Sequence, residues 1–396
     1  MGAEGTLNAV LGSMFFHLGD IFGIPVSPFD LILVFTLFIA GFARQRANDR
    51  PAKRLAEAIA ISAFLFVLFA LLSGAIGILR GNDLGKVLLE VRPFLYFLVI
   101  SLIMYHSGSD LDGAINIALL ARGLIIVLVY FAQHGSAEFL PGWESADSAL
   151  FTYGLFRAAT GNARPVKWVG PLVGLVSALI LLGSGRRAPA VAAAVSFTGL
   201  VGYTMIRRSK IRLRIFAAGL VVLIVGVLLL ATLPISLSST IQNRFQAMLF
   251  SPQEALSYRP LENAYAIRSI ESMSINEFLF GKGLGTYNAA EVAVLLGSTY
   301  DWYAIHNSWL QLMLLCGVIG VALFLNLSFQ VVRSTLSSPG FRGIPAAFTY
   351  LSFLVGMATG QWLWSTRTLS VIAVLTAAGL SRHKPRTGGA DIEAAS

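Results

Sequence analysis

Ten stretches of this chain read as membrane spans: 28–43, 55–79, 87–106, 112–132, 166–183, 189–206, 215–235, 306–332, 343–364 and 367–381. A helix needs about 20 mostly apolar residues to cross a bilayer. Because lipid offers no hydrogen bonds, the backbone of such a segment must satisfy itself, and a chain of this composition does so as helices. The residue balance agrees, with 56% hydrophobic and 12% charged against roughly 25% charged in soluble domains. The expected fold is an all-α polytopic membrane protein, a bundle of about 11–12 transmembrane helices. Residues 1–381 form one integral-membrane domain in this reading, and the polar tail 382–396 is disordered. The N-terminal stretch "TLNAVLGSMFFHLGDIFGI" is a weaker span, broken by His17 and Asp20. Without a basic leader or a small-residue cleavage site, it does not read as a signal peptide.

Charge sets the orientation. "RQRANDRPAKR" at 44–54, "RRSKIRLR" at 207–214 and "RHKPR" at 382–386 are strongly basic and belong on the cytoplasmic side. The polar stretch 236–305, of mixed charge, then becomes a large outer loop carrying short helices. Parity fails between 133 and 188, where two outer loops enclose a single good span, 166–183. Either 145–165 contains a partial or re-entrant segment, or one of these loops lies on the other side. Irregular backbone at that depth needs surrounding protein or a water-filled cavity.

Several function classes drop out. The net charge of +9 is scattered over loops without an aromatic-interleaved stripe, so nucleic acid is not an expected partner. A single cysteine, Cys316, gives neither a disulfide framework nor a thiolate metal site. His17, His106, His134, His306 and His383 lie too far apart for a metal-ligand pattern, so neither metal nor other cofactor is expected.

What remains on the outer side is a set of arginines and one histidine. Arg157, the Arg186–Arg187 pair, Arg259 and Arg268 each suit a solvated or headgroup position when taken singly. Taken together, their planar forks match phosphate oxygens and would hold a lipid diphosphate. Arg122 lies in mid-span and must face the bundle interior or a cavity, while Arg92 can snorkel outward. In the outer loop, 260–275 reads as an amphipathic helix, with Leu261, Ala264, Tyr265, Ile267 and Arg268 at i, i+3, i+4 spacing, suited to the membrane surface or to packing over a cavity. "GKGLGTY" at 281–287 reads as a tight turn or as a backbone nest for an anion.

His306 opens the span "HNSWLQLMLLCGVIGVALF". Alone, it suits a polar helix start with Asn307 or Ser308 as the cap. Coming after a loop that carries Arg259, it is also the candidate general base, since only His has an unperturbed pKa near neutrality. Asp301, five residues upstream, is the carboxylate in sequence reach to orient it. Gly317 and Gly320 read as close helix packing behind this site.

The stretches "FRAATGNARP", "GSGRRAPAVAAAV", "YRPLENAYAI", "FGKGLGTYN" and the His-Asn helix follow one another between 156 and 324. In that order they resemble the O-antigen ligase and Wzy-type polysaccharide polymerase superfamily of GT-C-like membrane glycosyltransferases. The resemblance implies a bacterial inner-membrane enzyme with its site facing the periplasm. Its donor would be a polyprenyl-diphosphate-linked glycan, its acceptor a sugar hydroxyl, and it would need no metal. Carried over, Arg259 and Arg187 or Arg186 hold the diphosphate and His306 activates the acceptor. The tryptophan common after the loop arginine is missing, with Asn263 and Tyr265 in that neighbourhood.

Polymerase and ligase differ only in acceptor, a lipid-linked repeat unit or a lipid A core sugar, and the shared residues serve both. The polymerase is preferred, because no segment reads as a dedicated core-oligosaccharide site. A transporter or flippase for a lipid-linked or anionic substrate is the competing class. It would show paired broken helices in symmetric halves, and no internal repeat is visible.

Overall fold

The computed structural model describes residues 50–107, 145–160, 187–207, 259–286, 305–337 and most of 343–380, with a few positions within 20–25 and 115–124. The spans 28–43, 166–183 and 215–235, most of 112–132, the tail, Arg186 and Asp301 lie outside the described residues.

The regular secondary structure of the described residues is helical apart from one antiparallel pair, β1 (Asp20–Ile21) and β2 (Ile24–Pro25). The helices are α1 (Arg50–Leu79), α2 (Leu84–Ser107), α3 (Ser145–Ala159) and α4 (Arg187–Arg207). They continue with α5 (Arg259–Glu271), α6 (Ile275–Phe280), α7 (Ser308–Leu336), α8 (Gly343–Gly356) and α9 (Thr366–Leu380). Two segments, Glu57–Leu79 and Ser308–Leu336, are long and apolar enough to cross a membrane. Several helices begin beside a proline: Pro51 in α1, Pro189 in α4, Pro260 in α5 and Pro345 in α8. A first turn has no intrahelical use for those N–H groups, so proline there costs nothing and presets φ.

α1, α2, α7, α8 and α9 share one packed core. Its centre is aromatic. Phe66 of α1 meets Phe94 of α2 edge to face at 4.9 Å and Phe324 of α7 at 5.4 Å, while Trp309 meets Phe324 at 5.6 Å. Lipid tails are as apolar as leucine, so burial alone does not drive helices together in a bilayer. Close packing and aromatic pairs of about 0.5–1.5 kcal/mol each must do more of the work. Interhelical hydrogen bonds add to them: Asn326 Nδ2 donates to Ser62 Oγ, and Trp309 Nε1 to the Leu354 carbonyl, both at 3.1 Å.

α3 falls within 145–165, the stretch that a partial segment would occupy. Its 15 residues reach only about 22 Å, short of a hydrocarbon core of about 30 Å. It buries Asp147, Ser148, Thr152 and Arg157 against α8 and α9. Asp147 supplies the partner that mid-span Arg122 requires, accepting Nε at 2.8 Å and Nη2 at 2.9 Å. That two-pronged pairing is how a guanidinium is accommodated away from water.

Candidate active site

The entrance to α7 is fixed residue by residue. Asn307 is the N-cap, its Oδ1 accepting from the backbone N–H groups of Trp309 and Leu310. Ser308 donates its N–H to Met357 O and its hydroxyl to Gly360 O, tying this end of α7 to the connection after α8. Ile305 is buried with Ala266 of α5 and Leu314 of α7. That apolar contact draws α5 onto α7 and sets the helical turn before Ala266 against His306.

Glu262 occupies that turn. Its side chain is 3% exposed, yet both carboxylate oxygens are engaged. Oε2 lies 3.0 Å and Oε1 3.2 Å from His306 Nδ1, and Oε2 also accepts the His306 backbone N–H at 3.1 Å. The first turn of α5 suits a carboxylate, since helix N-termini carry partial positive charge. With Nδ1 donating to Glu262, the neutral ring keeps its lone pair on Nε2. The His306 side chain is 43% exposed, so the ring is gripped on one edge and accessible beyond it. A buried carboxylate holding an accessible imidazole in one tautomer is the arrangement of an oriented general base.

Asp301, the carboxylate expected from the sequence, lies outside the described residues; among those described, the carboxylate in contact is Glu262, 44 residues away in the chain. Spacing could not reveal it, although Glu262 stands three residues after Arg259 in the quoted "YRPLENAYAI". Arg259 is the first residue of α5, so α5 joins it directly to Glu262. Arg268 is exposed on the same helix, and its six-residue offset from Glu262 rotates it well off the histidine-facing side. Arg187 is the first residue of α4. Arg157 is 1% exposed, which removes the solvated or headgroup reading for that residue. It lies on α3, and α3 and α4 both pack on α8.

Ala264, Ile267 and Arg268 are exposed, and the buried positions are Glu262 and Ala266. The helix turns inward the face that carries the carboxylate, because Glu262 has His306 to satisfy it.

Behind the site, the glycine-rich segment is neither an anion nest nor a simple turn. Every N–H from Gly281 to Gly285 already has a protein acceptor: Glu277 O, Leu314 O, Leu315 O, Ser73 O and Glu90 Oε2, in chain order. Nothing is left to bind an anion. Leu314 and Leu315 can accept because α7 breaks at Gly317, where φ is 64° and ψ −171°. In an unbroken helix those carbonyls would bond to Val318 and Ile319. Gly317 is therefore a break point as well as a place of close packing. A Cβ there would lie 2.5 Å from Gly281 N, and one on Gly283 would lie 2.5 Å from Gly77 N. The segment is thus wedged between α1 and α7, irregular backbone with the N–H groups of Gly281 to Gly285 all paired. Asn82 secures the far side, its Nδ2 donating to Leu284 O and Thr286 Oγ1.

Fold and site together define a helical membrane protein with a carboxylate-held histidine at the mouth of a broken helix. Residues 172–325, about two fifths of the chain, match the family model described as O-antigen ligase, which supports the O-antigen ligase/Wzy-type family for this region. The match contains the arginine helix, the glycine wedge and the His-Asn entrance, and it supports a membrane protein of polysaccharide or lipopolysaccharide biosynthesis. No curated protein matches the chain.

Proposed function

We propose that this chain is an inner-membrane glycosyltransferase of the polysaccharide polymerase type. It moves a glycan from a polyprenyl-diphosphate donor to a sugar hydroxyl at the periplasmic face, with inversion and without a metal. The observation that carries the reading is the Glu262–His306 pair, in which Nδ1 is occupied by a buried carboxylate and the ring remains accessible.

In this reaction His306 Nε2 takes the proton of the acceptor hydroxyl. The oxygen attacks the anomeric carbon from the face opposite the phosphate, and the carbon–oxygen bond to the diphosphate breaks. The polyprenyl diphosphate leaves with the bonding pair. Arg259 is the first candidate to hold it, from the N-terminus of α5, with Arg187 or Arg186 as the second fork. Arg157 and Arg268 are the remaining guanidinium candidates of the sequence. Donors aimed at the charge that develops on a leaving group lower the barrier without needing a metal ion. Asn307 keeps its capping role and so fixes where His306 stands.

An O-antigen ligase would run the same chemistry with a lipid A core acceptor, and the family description names that activity. Expression of His306→Ala in a polymer-deficient host tests the reading. Long-chain glycan should be lost while protein level and membrane insertion stay normal; wild-type polymer from that variant would remove His306 as the base. Supplying purified protein with either a second lipid-linked unit or a core acceptor separates polymerase from ligase.

A further inference from the structure

α1 presents an exposed apolar stripe at helical spacing, including Ile61, Leu65, Leu68, Leu72 and Leu79. From Ile61 to Leu79 it runs about 27 Å, close to the hydrocarbon thickness of a bilayer. The opposite face of the same helix is buried in the core, so the stripe is the lipid side of a helix apolar enough to span. Arg80 follows immediately and marks the level where that stripe gives way to charge.

α6 is fastened at this level. Its Glu277 accepts Arg80 Nη1 at 3.1 Å, and the glycine wedge that follows it is locked between α1 and α7. A capping box, Ser274 with Glu277, secures its start. Yet its apolar side chains do not turn inward: Ile275 is 79% exposed and Phe278 45%, and Phe280 is also exposed. Apolar groups this exposed are held beside Arg80, at the end of the lipid-facing stripe of α1.

We infer that α6 is an interfacial anchor, its Ile275–Phe278 face seated in the lipid at the boundary between headgroups and acyl chains. Glu277 and Arg80 mark the polar edge of that seat, and the apolar face lies beside them. The occupant is the bilayer, because Glu277 ties α6 to Arg80, the residue directly after the lipid side of α1. The anchor would hold the α5–α6 segment, and with it Glu262, at a fixed height above the membrane. Short apolar helical faces with a polar edge bind membrane interfaces in this way.

The inference rests on the membrane reading alone, not on the transfer reaction. The test is a nitroxide label at Ile275→Cys in the full-length protein, reconstituted in phosphatidylethanolamine–phosphatidylglycerol vesicles. Cys316 is fully buried, and the labelled wild-type protein gives the background. Collision with oxygen, which concentrates in lipid, is compared with collision with a water-soluble nickel chelate. Labels at Leu79→Cys and at Ala264→Cys, exposed on α5, supply the lipid and water references. The expected oxygen-to-nickel ratio at 275 is several-fold above that at 264 and near that at 79. A ratio equal to that at 264 overturns the anchor. So does a label shielded from both reagents, which would mean that a second copy or another protein covers the face. A chain inactive in glycan transfer would still give the lipid signature, so the two readings fail separately.

Discussion

Glu262 and His306, 44 residues apart in sequence, meet through a 3.0 Å contact from Oε2 to Nδ1 at the mouth of α7. The carboxylate is buried and the imidazole is not. Proton transfer from an acceptor then runs through Nε2, and Glu262 is a positioning residue that acts through the ring. Glu262→Gln keeps the shape but cannot accept Nδ1–H and the backbone N–H with two carboxylate oxygens. Turnover should fall by about tenfold or more, towards the loss seen when triad carboxylates are amidated, with KM for the lipid-linked donor unchanged. The check is a steady-state kcat and KM measurement on purified protein; an unchanged kcat contradicts the role.

Arg259→Lys keeps the charge at the start of α5 but removes the fork. If the guanidinium binds the donor diphosphate, activity should drop about tenfold to a hundredfold, the equivalent of one charge-assisted hydrogen bond. Donor titration of the variant measures this, and wild-type donor affinity and rate would exclude Arg259 from diphosphate binding.

Gly317→Ala meets two obstacles. Its φ of 64° disfavours a side chain, and a Cβ would stand 2.5 Å from both Gly281 N and Leu279 O. Gly81 has a φ of 85° but open space around it. Thermal unfolding in detergent should therefore separate them: Gly81→Ala costs about 1–3 kcal/mol of backbone strain, and Gly317→Ala costs more or yields no folded protein. Equal stability of the two variants contradicts the wedge.

These pairs show how far the sequence could be read. The His-Asn entrance, the capping by Asn307 and the need of Arg122 for a partner were legible, because each follows from spacing, propensity or the cost of a charge in lipid. Glu262 was not, since its contact depends on Ile305 and Ala266 drawing α5 onto α7. The helix break at Gly317 was also hidden: "LLCGVIG" keeps an apolar pattern straight through it. Only the segment Gly281–Gly285, arriving from the preceding loop, reveals which carbonyls of α7 are diverted.

The cap of α6 carries a pH dependence. The backbone N–H and then the hydroxyl of Ser274, with help from Arg80, hold Glu277 below the usual carboxylate range. A folded-state pKa below the unfolded one contributes stability above the ordinary glutamate range, and that contribution is lost as pH falls through the lowered value. Amide exchange over 275–280, corrected for intrinsic rates, should be slower at neutral pH than near pH 3, and Glu277→Gln should remove the difference. Equal protection at both values contradicts the cap.

The central claim is most directly tested by the rate of glycan transfer from a lipid-linked donor by purified His306→Ala in proteoliposomes, beside the wild-type protein. A positioned base contributes about 10²–10⁴-fold. The variant should fall by that factor while its melting temperature and donor binding stay at wild-type values. Transfer at the wild-type rate would show that the Glu262–His306 pair holds the entrance of α7 together and takes no proton.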